Sequence, residues 1–138
     1  MEGFQILDLS GDVGLKVFGK SINEVFMNAA IGMYNLITNL DGIAENKTID
    51  VSVESLSMEG LFVSWLNELI FHFDAYGFVG KKIDIKYFSG NKIIATITGE
   101  EFDPERHDRK LLIKAATYHK LRIEKGDETW EAEVIFDI

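Results

Sequence analysis

Apolar residues recur at helical spacing in only two stretches of this 138-residue chain, and almost everywhere else they alternate with polar neighbours. The first stretch runs through Ile22, Val25, Phe26, Ala29, Ala30, Met33, Ile37 and Leu40. The second, within Met58 to Phe73, runs through Leu61, Phe62, Trp65, Leu66, Leu69 and Ile70. Steps of three and four place one stripe on a helix, whereas strict alternation places one face of a strand against a core. Alternating segments occupy Phe4 to Leu9, Val13 to Phe18, Thr48 to Val53, Ile83 to Tyr87, Lys92 to Thr98 and Trp130 to Ile138, and a further apolar segment spans Leu111 to Ile123. The order is two strands, helix, strand, helix, then about four strands. It predicts an α+β fold: a single two-layer domain over residues 1–138, with two helices on one face of a mixed, mainly antiparallel sheet of about six or seven strands.

Local chemistry supports these boundaries. Ser10-Gly11-Asp12 supplies turn dihedrals and side-chain acceptors between the first two strands, and Ser89-Gly90-Asn91 does the same for a later hairpin. Ser21-Ile22-Asn23-Glu24 reads as a capping box at the head of the first helix. A polar loop with Asp103-Pro104 and His107 precedes Leu111, and Gly126-Asp127 turns into the last strand.

Composition acts mainly by exclusion. With 46% hydrophobic residues the chain can bury a proper core. No run approaches the roughly 18 unbroken apolar residues of a membrane span, and Met1-Glu2-Gly3-Phe4 lacks the basic start of a secretory signal, so a cytoplasmic location is expected. The absence of cysteine removes disulfides, thiolate zinc sites and thiol catalysis together, which leaves carboxylates and three histidines as ligands and favours a hard cation. A formal charge of −9 argues against stable unaided binding to nucleic acid.

Several short patterns mislead. Gly14-Leu15-Lys16-Val17-Phe18-Gly19-Lys20-Ser21 satisfies the phosphate-binding P-loop pattern, but Leu15 to Phe18 is bulky and partly β-branched and reads as strand, while Ser21 serves as a helix cap. Asp8 to Asp12 opens like an EF-hand loop, yet Val13 stands where glycine is needed and Gly19 where the closing glutamate is needed. Asp12 reads most simply as a turn residue bonding its own backbone. His72, His107 and His119 fall on separate elements without i,i+4 spacing, so only the fold could unite them. Lys114, between Ile113 and Ala115, reads either as a strand lysine whose head reaches water or as a placed cation.

The end of the chain is the most suggestive feature for function. In Trp130 to Ile138, one face carries Trp130, Ala132, Val134, Phe136 and Ile138, and the other carries Glu131, Glu133 and Asp137. Asp137 and the terminal carboxylate arrive together. Carboxylates a few ångströms apart repel by roughly 4 kcal/mol at an effective dielectric of about 20, so they protonate, splay into water or hold a cation.

Six stretches in order resemble the archease family: Ser10 to Gly14, Gly19 to Met33, Trp65 to Leu69, Gly99-Glu100 with Asp103 and His107, Ile113 to His119, and Val134 to Ile138. The resemblance implies a non-enzymatic accessory protein, an activator of RtcB-type RNA ligases in tRNA splicing and processing, which promotes guanylylation of the ligase and its multiple turnover. It implies a metal site at Asp12, Asp137 and the carboxylate of Ile138, with calcium the expected divalent ion, and a role in partner activation for Lys114, with Tyr118 and His119 beside it. The family usually opens its first motif His-Thr-Ala-Asp, where this chain has Leu9-Ser10-Gly11-Asp12; the acidic ligand survives and the histidine does not. Two other readings are a metal-dependent hydrolase and a chaperone for a tRNA-modifying methyltransferase.

Overall fold

In a computed structural model, which describes residues 3–138, eight strands and two helices follow the anticipated order. Strand β1 (Phe4–Leu9) and β2 (Asp12–Gly19) form a hairpin, α1 covers Ile22–Ile37, β3 covers Lys47–Glu54, and α2 covers Met58–Tyr76. The remaining strands are β4 (Phe78–Phe88), β5 (Lys92–Glu101), β6 (Ala115–Ala116), β7 (Arg122–Lys125) and β8 (Trp130–Asp137). The α+β class and both helices stand as anticipated. The strands divide between two hydrogen-bonded sheets, one of five in the order β1-β2-β8-β6 with β7 also on β8, and one of three in the order β3-β5-β4. Every pairing is antiparallel.

Capping explains where the helices begin. The Ser21 hydroxyl accepts from the Glu24 amide at 3.3 Å, and the Ser57 hydroxyl accepts from the Gly60 amide at 3.0 Å, each satisfying a donor the helix itself leaves unpaired. Helix α2 ends at Gly77, whose left-handed φ of 71° suits glycine and whose amide reaches the Phe73 carbonyl. Helix α1 stops at Ile37, three residues short of the apolar stripe, because Leu40 enters a separate 3-10 turn over Leu40–Gly42 while keeping its place in the core.

Both helices bury one face in a common core. Val25, Phe26, Ala29, Ala30 and Met33 of α1 and Leu61, Phe62, Trp65, Leu66 and Leu69 of α2 are fully enclosed, together with Leu15, Val17, Ala132, Val134 and Phe136 of the five-stranded sheet and Ile93, Ala95 and Ile97 of the other. Leu15 and Val17 lie within β2, so the P-loop pattern is strand, as its side chains indicated. On the outer face of the five-stranded sheet, Arg122 reaches Glu131 at 2.7 Å, Glu133 at 3.0 Å and Glu124 at 3.0 Å. The Glu131 carboxyl is thereby held below its usual range, chiefly by the Arg122 hydrogen bond.

The segment from Leu111 to Ile123 departs from expectation. Only Ala115–Ala116 and the final residues that begin β7 are strand, and the rest is an irregular strap. Its start is drawn away from the sheet: the Leu111 amide, like that of Lys110 before it, donates to the end of α1, to the Leu36 and Ile37 carbonyls at 3.0 and 3.1 Å, and before β7 only Lys114 to Thr117 bond to β8. A segment whose donors are drawn to a helix terminus cannot also complete a strand ladder.

Candidate metal and partner-facing site

Strand register brings the distant acidic residues together. Val13 lies opposite Phe136 in the last register pair of β2 and β8, so Asp12 and Asp137 are the residues that follow it at the same end of the sheet. Asp12 owes its place to the tight hairpin, in which Leu9 pairs with Asp12 across Ser10 and Gly11. Gly11 takes a left-handed φ of 81° with open space around it, so glycine at this position suits the turn.

Asp137 is gripped from its other side. Ala115 pairs with Asp137, and the Lys114 amide donates to the Asp137 carbonyl at 2.8 Å. Lys114, Asp137 and Ile138 are all exposed at this end of the sheet. Beyond β6, the Thr117 hydroxyl and amide both donate to the Ile135 carbonyl, at 2.8 and 3.0 Å, and the chain then bulges away from β8 through Tyr118, His119 and Lys120 before returning as β7. Tyr118 and His119 are exposed on this bulge. Lys120 has a φ of 52°, which costs a side chain with a Cβ roughly 1–2 kcal/mol. Of the three positions expected to act on a partner, Lys114 precedes β6 at the Asp137 end, and Tyr118 and His119 follow β6 on the bulge.

One residue that sequence reading placed only inside a helix turns out to hold this arrangement. Asn67 of α2 spends its whole side-chain amide on Ala116: its Oδ1 accepts from the Ala116 amide at 2.8 Å and its Nδ2 donates to the Ala116 carbonyl at 3.3 Å. The amide side chain stands where a neighbouring strand would be. It allows a two-residue strand to persist at a sheet edge with both backbone groups satisfied.

The donor set suits a hard cation incompletely. Among the described residues, no group of three or more histidine, cysteine, aspartate or glutamate side chains is arranged to hold a metal ion. Two carboxylates, with the carboxylate of Ile138, supply oxygen only. Calcium takes six to eight oxygens, so water or a partner's groups would have to fill half or more of its shell.

A second polar cluster lies apart from this end. Glu100, at 6% exposure, accepts from the Ala44 amide at 2.9 Å, from Arg106 at 2.6 Å and from the buried His107 at 2.9 Å. His107 Nδ1 accepts the Asp103 amide at 2.8 Å, so its Nε2 carries the proton that Glu100 receives. The histidine is neutral in this arrangement and locks the 103–107 loop. Hydrogen bonding from Ala44 and then Arg106 holds the Glu100 carboxyl at about 2, against an ordinary 4.5. A carboxyl lowered by folding stabilises the native state above its unfolded value and loses that contribution as pH falls toward its folded one. Thermal stability is therefore expected to decline as pH drops from about 4.5 to about 2, and Glu100→Gln is expected to flatten that decline while lowering stability at neutral pH. A pH series of melting temperatures that is equally steep in the variant would contradict this. His107 and Glu100 are structural; His72 pairs with Glu68 on α2, and His119 lies on the bulge, so the three histidines are not united.

No helix among the described residues is long and apolar enough to cross a membrane. Across its described length the chain resembles known proteins. A protein archease of Pyrococcus furiosus is 33% identical and one of Pyrococcus abyssi 32% identical, each over the full length of both chains. The solution structure of Methanobacterium thermoautotrophicum protein 1598 superposes with a TM-score of 0.78 at 31% identity, covering both chains completely. An archease crystal structure from Thermotoga maritima shares the fold, with a TM-score of 0.70 at 20% identity over 96% of this chain and 94% of that one. Residues 4–138 match the archease protein family (MTH1598/TM1083), from the first hairpin that carries Asp12 to the last strand that carries Asp137. With the fold, the relatives and the sequence pattern in agreement, the chain belongs to the archease family.

Proposed function

We propose that this protein is an accessory factor of an RtcB-type RNA ligase in tRNA splicing, cytoplasmic and not itself a catalyst, which promotes guanylylation of the ligase and its repeated turnover. The observation that supports the reading is that Asp12, Asp137 and Lys114 lie at one end of the five-stranded sheet, in a chain of the archease family. Asp12 and Asp137, with the Ile138 carboxylate, would hold a divalent ion, calcium being the expected one. Such an ion supplies neutralisation of the clustered charge and a fixed electrostatic centre at the tip. The chain's own groups do the rest. The short β6 strand holds Lys114 against the last strand, and the bulge presents Tyr118 and His119 to the same side of the partner, a positioning role that requires no chemistry from this protein.

The incomplete ligand shell supports a docking role: a site that lacks half its oxygens binds weakly alone and more tightly where a partner supplies them. Two carboxylates at one end of the sheet also cost stability when no cation is present. Asp12→Asn is expected to raise the stability of the metal-free protein by about 0.2–1 kcal/mol by relieving like charges across the strands. It is also expected to erase the gain of about 2.7 kcal/mol that calcium at a hundred times its dissociation constant gives the native protein. Thermal melts with calcium and with a chelator read both effects, and an unchanged calcium response in the variant would remove the site.

The functional test is RNA joining by an RtcB-type ligase held below the substrate concentration. Native protein is expected to convert a single turnover into many, and Lys114→Ala and Asp12→Asn to lose that effect. Joining that proceeds equally well without the protein would overturn the proposal.

A further inference from the structure

Positive charge on this chain is concentrated where the acids are few. Residues 106–122 hold six of the 14 lysines and arginines but only one of the 23 acidic residues, so this stretch of 17 carries +5 while the remainder sums to −14. The same stretch runs from the end of the 103–107 loop through the irregular strap, and is anchored at the end of α1 by Lys110 and Leu111 and at the end of β8 by Lys114. Two of its cations are consumed internally, Arg106 by Glu100 and Asp103 and Arg122 by the outer-face glutamates. The other four, Arg109, Lys110, Lys114 and Lys120, are exposed and make no ion pair among the described residues. Arg109 lies over the Phe102 ring at 5.5 Å, and the Lys110 ammonium donates to the Asn35 carbonyl at 2.6 Å, so each keeps its charge with no acid to cancel it.

We infer that this strap is a contact surface for single-stranded RNA, on which Arg109, Lys110, Lys114 and Lys120 meet phosphates and Tyr118 stacks on a base. Exposure alternates along the strap: Lys110, Leu112 and Lys114 face water while Leu111 and Ile113 turn inward, as on an extended chain. Alternate side chains of such a chain recur about every 6.6 Å, which spaces Lys110 and Lys114 along the chain about the exposed Leu112, so the charge is spread and not a single point. At its far end Tyr118 is 62% exposed, between the array and Lys120. A row of cations ending in an exposed aromatic ring is the arrangement that binds single strands without reading their sequence, because every base has a face to stack. An acidic protein segment would satisfy the cations but has no use for the ring. The acids at the end of β8, next to Lys114, and those elsewhere on the surface oppose a polyanion; with a Debye length of about 10 Å at about 0.1 M salt, they weaken contact at Lys114 more than at Arg109 and Lys110.

Four contacts on an acidic protein bind weakly, in the roughly 10⁻⁴ M range of non-specific association. The strap therefore serves to guide an RNA end already held by a partner. The inference rests on the ligase reading only in taking that partner's substrate to be RNA.

Fluorescence anisotropy of a fluorescein-labelled single-stranded RNA of about ten nucleotides tests it, titrated with the intact protein from about 50 to 200 mM salt. Binding is expected, with log K falling against log salt at a slope of about −2.8 for four phosphate contacts. Lys110→Glu combined with Lys120→Glu is expected to weaken binding at least tenfold. Lys120→Gly removes one cation at a backbone position that glycine prefers, so it is expected to lower the slope by about 0.7 without lowering the melting temperature. Absence of binding at about 50 mM salt, or equal binding by the double variant, would overturn the inference. Displacement of the RNA by polyglutamate at equal charge concentration would overturn it too, and would mark the strap as a site for acidic protein. The ligase assay separates the two readings: RNA binding without stimulation of joining sinks the ligase role and leaves the strap, whereas stimulation with no RNA contact does the reverse.

Discussion

Truncating Trp65 to alanine is expected to cost about 4 kcal/mol, the largest single loss anticipated in the molecule. The indole is fully enclosed between the helices and the sheets, and its Nε1 donates to the Phe26 carbonyl at 3.0 Å, the one side-chain bond that ties α2 to the backbone of α1 among the hydrogen bonds of the described residues. Alanine would leave a cavity lined by α1 and α2 and would remove that bond together with the buried area. Domains of this kind are stable by about 5–15 kcal/mol, so the variant would lose a quarter or more of its margin. Trp65→Phe separates the two contributions: most of the volume stays, the donor goes, and a loss of about 1–2 kcal/mol is expected. Urea unfolding measures both, and a loss below about 1 kcal/mol for the alanine variant would show that the surroundings collapse into the space.

Gly99→Ala is expected to cost about 3 kcal/mol for the opposite reason. Gly99 lies in β5, the middle strand of the three-stranded sheet, opposite Gly80 of β4 and Lys47 of β3. A Cβ there would run into the Val79 carbonyl oxygen and stand 2.9 Å from the Gly80 Cα, and both are backbone atoms held by the ladder. A flexible side chain could turn away; a paired strand cannot. The misfit would be felt at Glu100, the next residue, whose bonds to Ala44, Arg106 and His107 depend on the strand's position. The variant is accordingly expected to show a shifted acid-unfolding profile as well as a lower urea midpoint. Normal stability in urea would mean that β4 and β5 can separate locally.

Local signals marked most of the fold. The Ser10-Gly11 turn, the Ser21 cap and the Ser89 to Asn91 turn each act within a few residues, and the structure places each where the residue types indicate. The strap from Leu111 onward was misread as strand because its partners are remote. Thr38 donates to the Asp108 carbonyl across 70 residues, and Asn67 grips Ala116 across 49. Nothing in the local pattern of Ile113 to His119 announces either. Only the family resemblance relates Asp12 to Asp137: strand alternation gives a face to Asp137, whereas Asp12 reads as a turn residue, and neither signal carries a register between the two ends. Glu100 and His107 belonged to the same resemblance, yet the chemistry that unites them, a neutral histidine donating to a carboxylate held by an arginine and a backbone amide, needs coordinates. The cations of residues 106–122 are interspersed with apolar residues and form no contiguous block, so the charge pattern alone does not announce them, and their significance depends on knowing which are already paired.

The position of β8 has a consequence for how the protein acquires its shape. This strand is the junction of the five-stranded sheet, pairing with β2 on one edge and with β6 and β7 on the other. Residues 12–19 must therefore wait for residues 130–137, a closure that spans nearly the whole chain, while β3 to β5 can assemble from nearer neighbours. Such high contact order slows the search for the native arrangement, and a nascent chain lacking its final strand would leave β2 open as a sticky edge. The end of the sheet that carries Asp12 and Asp137 is thus built from strands near opposite ends of the described residues, so its display depends on that long-range pairing having formed.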